Sequence, residues 1–170
     1  MLFRSHVKGG NYSSEEIDRL MAFVIERYQV FAGLDTRFEE EMKFLPFVST
    51  LSGRFRAMDV FDPRNDLLQG IFADEDVFPT GAQYTDPGVL VVLDKLGLKS
   101  DDKITAQDLY QSAKKVTNLD KMSMAENKSE AIMAYLNQNP MKLSENISGT
   151  ALGLLLQDIS WVSGDRKSVV

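Results

Sequence analysis

The stretch Pro46-Phe47-Val48-Ser49-Thr50-Leu51-Ser52-Gly53-Arg54-Phe55-Arg56-Ala57 decides the fold class, because here the apolar spacing leaves the helical three-to-four rhythm. Pro46 to Ser49 and Arg54 to Ala57 flank a turn at Leu51-Ser52-Gly53, which predicts two short strands in an antiparallel hairpin. Adjacent strand residues point to opposite faces, so Phe47 and Val48 cannot both face one core, and the hairpin is either two-sided or irregular. In the second run Arg54 and Arg56 alternate with Phe55. A one-sided strand points both arginines outward and Phe55 inward, and the charges also guard that edge against aggregation. Arg54, Phe55 and Arg56 are therefore the candidate protein-contact residues.

On either side of the hairpin the helical rhythm returns. Upstream, Ser13 and Glu16 form a capping box, with Tyr12 and Ile17 spaced as a hydrophobic staple. Ile17, Leu20, Met21, Val24 and Tyr28 make one apolar face, which predicts a helix over 14–31 ended by Gly33. A short charged helix is expected over 36–43, with Glu39-Glu40-Glu41 as a solvated face. Downstream, residues 58–88 are loop-rich. Phe61-Asp62-Pro63 and Phe78-Pro79 each set a large apolar residue ahead of proline, and both phenylalanines are predicted to be buried plugs. Leu67, Leu68, Ile71 and Phe72 predict a short helix, while Asp74-Glu75-Asp76 lacks the alternation and glycine of a calcium loop and reads as a solvated turn.

Further on, Asp86 caps a helix with Pro87 at its first position and Gly97 as its left-handed terminator, Leu98 packing back on Leu93. Thr105 and Asp108 open another helix, reaching about Thr117, with Ile104 and Leu109 as its staple. Ser123 and Glu126 are read as the start of the next, which carries Ile132, Tyr135 and Leu136 and stops before Pro140. A last helix is expected over 149–157, then Ile159-Ser160-Trp161-Val162 as a short apolar strand or extended segment with Trp161 as a core anchor, and a fraying tail from Ser163. The expectation is a mainly helical α+β chain, with several short helices around a small antiparallel hairpin. As one module or repeat fragment over 1–170, it divides into an N-terminal helix (13–34), a hairpin, loop-rich middle and helix (36–98), C-terminal helices with a short strand (99–162) and the tail (163–170).

The chemistry-bearing residues point away from catalysis. The 170 residues include no cysteine and one histidine, His6, which removes disulfides, thiolate sites and multi-histidine metal centres. His6 reads as a plain surface residue. Phosphate loops, dinucleotide turns and nucleophile elbows are absent from the sequence, so no catalytic, cofactor-binding or metal residue is assigned and no cofactor is expected. At 44% hydrophobic and 26% charged the chain is ordinary for a folded domain, which excludes wholesale disorder. Its net charge of −6 argues against a nucleic-acid surface. The start of the chain lacks a secretory signal, and no apolar run is long enough to span a bilayer, Leu152–Leu156 being interrupted by Gly153; a cytoplasmic location is expected. The Asn-x-Ser triplets at Asn11, Asn127 and Asn146 then read as chance. Met122, Met124 and Met133 read as packing material, and Ser168-Val169-Val170 as an incidental ending.

Taken in order, several segments resemble the large repeats of sacsin-type proteins. They are Leu45-Pro46-Phe47 before Gly53, Val60-Phe61-Asp62-Pro63, Phe78-Pro79, Leu96-Gly97-Leu98-Lys99, Thr105 to Leu109 with Ser112-Ala113, and Ile159 to Val162. The resemblance covers roughly residues 38 to 162 and implies a downstream, non-ATPase portion of one repeat. The D-x-G-x-G turn of the ATPase region is absent, and Val7 after His6 breaks the triplet of a J-domain. What the resemblance implies is a non-catalytic scaffold or client-contact module of a molecular chaperone or co-chaperone, acting in protein folding with protein partners and without nucleic acid or membrane. A small hydrolase-type enzyme built on carboxylates, or an adaptor reading peptides along the 44–57 hairpin edge, are the alternatives.

Overall fold

Residues 12–162 are described in a computed structural model. His6, Asn11, the tail from Ser163 and Ser168-Val169-Val170 lie outside them. By its internal contacts the chain divides into two units: residues up to Pro63 with Asp76–Lys99 form the first, and Arg64–Glu75 with Ser100 onward form the second. Both are built mainly of helices, each with one two-stranded antiparallel hairpin, so the fold is α+β and mainly helical.

In the first unit the capping box forms. The Ser13 N–H donates to the Glu16 carboxylate at 2.7 Å and the Glu16 N–H to the Ser13 hydroxyl at 3.2 Å, starting α1 (Ser14–Glu26). The helix expected to reach 31 instead breaks at Arg27, whose backbone turns to φ −106°, ψ 19°, and a separate α2 (Tyr28–Leu34) follows. Neither glycine nor proline marks the break, so apolar spacing alone carries a sequence reading straight through it. After α3 (Phe38–Lys43) comes the hairpin of β1 (Val48–Ser49) and β2 (Arg54–Phe55), pairing Val48 with Phe55 and Ser49 with Arg54. Phe47 and Val48 are both fully buried, but Phe47 precedes β1 and takes no part in the two-residue pairing.

Phe61 is a buried plug: its N–H donates to the Val77 carbonyl at 2.8 Å, and it bridges to Lys99. Phe78 is only half-buried, its ring centroid 6.4 Å from that of Phe61. A short α4 (Asp66–Phe72) belongs to the second unit; the first resumes with α5 (Ala82–Thr85) and α6 (Pro87–Lys95). The α6 ends form as read. Asp86 accepts from the Gly88 and Val89 N–H groups, Gly97 takes φ +100°, and the Leu98 N–H returns to the Leu93 carbonyl at 2.9 Å. Met21, Tyr28, Met42, Phe47, Leu90 and Leu93 belong to the core of this unit.

In the second unit α4 packs along α8 (Met122–Gln138), close enough that a Cβ on Gly70 would sit 2.7 Å from the Ala131 Cβ. The Thr105–Asp108 capping box forms and opens α7 (Ala106–Lys115). Ser123 does not cap α8: the helix starts at Met122 behind Lys121, with no side-chain cap. Nor does the last helix start at 149. A hairpin of β3 (Asn146–Ile147) and β4 (Thr150–Ala151) comes first, its turn made by Ser148 (φ 51°) and Gly149 (φ 88°), and α9 (Leu152–Leu155) follows. Two successive positive φ values suit the right-handed twist of a tight hairpin, which is why serine–glycine serves there. Ile159–Val162 forms no strand; Trp161 is nonetheless buried, its indole N–H donating to the Leu156 carbonyl at 3.2 Å. Among the described residues no helix is long and apolar enough to cross a membrane.

Candidate functional site

The three residues singled out on β2 take different roles. Arg54 does not point outward. Its side chain is only 15% exposed and its guanidinium donates to the Asp18 carboxylate (2.8 Å), the Phe47 carbonyl (2.8 Å) and both the carbonyl (2.7 Å) and hydroxyl (2.6 Å) of Ser14. A planar guanidinium has five N–H donors, and the first turns of α1 supply every one of these acceptors except the Phe47 carbonyl, so Arg54 ties α1 to the hairpin. The Tyr84 hydroxyl also donates to Asp18, at 2.7 Å. Burial works to raise the Asp18 carboxyl, but the hydrogen bonds from Arg54 and Tyr84 outweigh it and hold the group below its ordinary value. Burial, with the Asp18 charge adding to it, pushes the Tyr84 phenol well up. Arg56 makes a two-pronged pair with Asp59 at 2.6 and 2.7 Å, and Phe55 is half-buried against the core.

The hairpin edge is also largely occupied. The Ser49 carbonyl accepts from the Thr80 N–H at 2.8 Å, and the Phe47 carbonyl is taken by Arg54. At the tip Asp76 accepts from the Leu51 N–H (2.8 Å), the Ser52 N–H (2.6 Å) and the Thr50 hydroxyl (2.9 Å). Burial acts to raise Asp76, and these hydrogen bonds bring it below its ordinary value. The acidic run is thus no solvated turn. In the second unit its first two members, Asp74 and Glu75, grip Lys128, which is 2% exposed and also donates to the Ile71 carbonyl at 2.7 Å; Lys115 pairs with Glu75 at 2.7 Å.

An open apolar surface lies elsewhere in the first unit. Helices α1, α2 and α3 enclose a cleft of about 350 Å³, with Val24, Met42 and Leu45 as its floor and Leu20, Phe31 and Phe38 as its walls. Phe31 stacks on Phe38 (centroids 5.5 Å apart), Phe23 tilts against Phe31 (6.2 Å), and Tyr28 meets Phe38 edge-on (5.6 Å). Phe23 and Leu34, on its rim, are 47% and 78% exposed. The polar lining is two carboxylates, Asp35 and Glu41. Mostly apolar concavities with a few polar groups are where proteins bind, although Phe23 and Leu34 were no part of the sequence-based contact site. A signal was present: after one face is assigned to Ile17, Leu20, Met21, Val24 and Tyr28, the surplus of Phe23, Val30, Phe31 and Leu34 exceeds what one buried stripe uses.

The methionines expected as packing material divide. Met122 and Met124 are exposed, whereas Met133 lies beside Leu136, Leu156 and Trp161 along an apolar hollow of the second unit. Among the described residues, no three His, Asp or Glu side chains gather in a way that would hold a metal ion.

No protein-family model matches the chain. No solved structure matches it. Human sacsin matches at 26% identity over 169 residues, an alignment that takes in 95% of this chain and 4% of sacsin. The chain therefore spans a small part of that protein's length, and the match supports a sacsin-like relationship for nearly all of its residues.

Proposed function

We propose that this chain is a non-catalytic contact module of a sacsin-like chaperone, cytoplasmic, holding segments of client or neighbouring proteins against the α1–α3 cleft. The observation that carries the reading is the open aromatic cleft, whose rim leaves Phe23 and Leu34 in water. Large apolar side chains exposed around a concavity are favourable only when something covers them, and burial returns roughly 25 cal/mol for each Å² removed from water. The hairpin edge supports a contact role less well, since Arg54 is consumed by internal bonds and β2 is two residues long. In the cleft Asp35 accepts from the Arg37 N–H at 2.9 Å, an ordinary turn contact that supports structure rather than proton transfer.

The test is whether the purified chain delays aggregation of an unfolded test protein, alongside a variant with Phe23→Glu and Leu34→Glu. Delay by the natural chain, lost in a variant that melts at the same temperature, supports the reading. Equal delay by both would remove the cleft from it, and no delay by either would leave only a spacing role.

A further inference from the structure

The composition of the cleft narrows what covers it. Its floor and walls are apolar, and its polar lining is acidic: Asp35 and Glu41, with no lysine or arginine among the lining residues. Nearby cations are engaged. Arg27 pairs with Glu26 at 2.7 Å and lies 4.2 Å from the Phe23 ring centroid, while Arg37 faces Asp35. Among the described residues Glu41 has no salt bridge, so its charge is the one at the cleft left without a cation. The chain's net charge of −6 adds attraction of the same sign for a basic partner and repulsion for a second copy of itself.

Backbone chemistry narrows the occupant further. Three helices enclose the cleft, and helices satisfy their interior N–H and C=O groups within themselves. An extended peptide laid there would find few main-chain partners, whereas a helix brings its own hydrogen bonds and needs only an apolar face. We infer that the occupant of the cleft is an amphipathic helical segment of another protein, with large apolar side chains about one turn apart flanked by lysine or arginine. The inference rests on the contact-module reading and adds to it the chemistry of the partner. In the bound state the apolar side chains cover Phe23, Phe31, Phe38 and Leu34, and a flanking cation sits at Glu41.

Fluorescence anisotropy with two labelled designed peptides tests this. Both carry leucines at i, i+4 and i+7; one has flanking lysines and the other glutamates in their place. The lysine peptide is expected to bind the full chain about tenfold or more tighter, a difference of about 1.4 kcal/mol. Glu41→Gln should narrow that preference and Glu41→Lys should narrow it further, with both variants melting as the natural chain does. Equal binding of the two peptides, abolished in both cases by Phe23→Glu with Leu34→Glu, would overturn the basic-helix assignment while leaving the contact module standing. So would binding of neither peptide by a chain that still delays aggregation. A concentration-dependent dimer in sedimentation that Leu34→Glu dissociates would make a second copy the occupant and overturn it too.

Discussion

The Arg54 guanidinium lies 2.8 Å from the Asp18 carboxylate, joining β2 to α1 across 36 residues of sequence. The pair is shielded more on the arginine side, 15% exposed, than on the aspartate side, 33% exposed. Removing one partner of a buried pair destabilises by about 3–5 kcal/mol, and the exposure of Asp18 discounts that to about 2–4 kcal/mol. Arg54→Ala is therefore expected to lower the urea midpoint substantially, and Arg54→Lys to recover only part of it, since one ammonium cannot reach Ser14, Phe47 and Asp18 together. A midpoint unchanged by Arg54→Ala would mean that the pair is surface ornament.

Asp76 gives a pH dependence of known sign. Its carboxyl is held below the ordinary value in the folded chain, so the unfolded state takes up protons first as the pH falls. The stabilisation is complete above the unfolded pKa, near about 4, and is lost as the pH drops through the lower folded value. Asp76→Asn should accordingly flatten the acid limb of the stability curve below about pH 5, and it should speed hydrogen exchange at the Leu51 and Ser52 amides. Acid limbs that superimpose would show that Asp76 does not hold the hairpin tip.

Lys128 is the buried cation of the second unit. Lys128→Ala strands the Asp74 carboxylate, leaves Glu75 with Lys115 alone and removes a donor from the Ile71 carbonyl, so a loss of about 3–5 kcal/mol is expected. Lys128→Met keeps the volume but not the charge, and should be nearly as damaging. A methionine variant as stable as the natural chain would mean that packing alone, and not the ion pair, is what this position needs.

Gly70→Ala sets two effects against each other. Alanine raises helix propensity by up to about 1 kcal/mol over glycine. The new methyl would start 2.7 Å from the Ala131 Cβ, and forced overpacking typically destabilises by about 1–3 kcal/mol. The variant is expected to melt lower, and pairing it with Ala131→Gly should restore most of the loss. A higher melting temperature for Gly70→Ala alone would show that α4 and α8 separate easily.

How much of this was legible in sequence follows the range of each interaction. The caps at Ser13–Glu16, Asp86–Pro87 and Thr105–Asp108, and the Gly97 terminator, all form as read, because each closes within a few residues. Arg54 turning inward was not legible: alternation assigns a face, but the acceptors that capture it lie in α1, far off in sequence. The Asp74-Glu75-Asp76 run misleads for the same reason, since Lys128 and the Thr50–Ser52 turn are both distant. The helix expected over 149–157 takes in Gly149 because apolar Leu152, Leu155 and Leu156 follow at once, although the positive φ values of Ser148 and Gly149 make a turn there. The cleft was half-visible, as more apolar residues over 20–45 than one buried face can use.

Amide hydrogen exchange of the chain, with and without an excess of an unfolded client, tests the contact claim most directly. The account predicts slowed exchange over α1, α2 and α3, centred on residues 20–45, with the 46–57 hairpin unchanged. Protection confined to the hairpin, or no protection anywhere despite bound client, would contradict it.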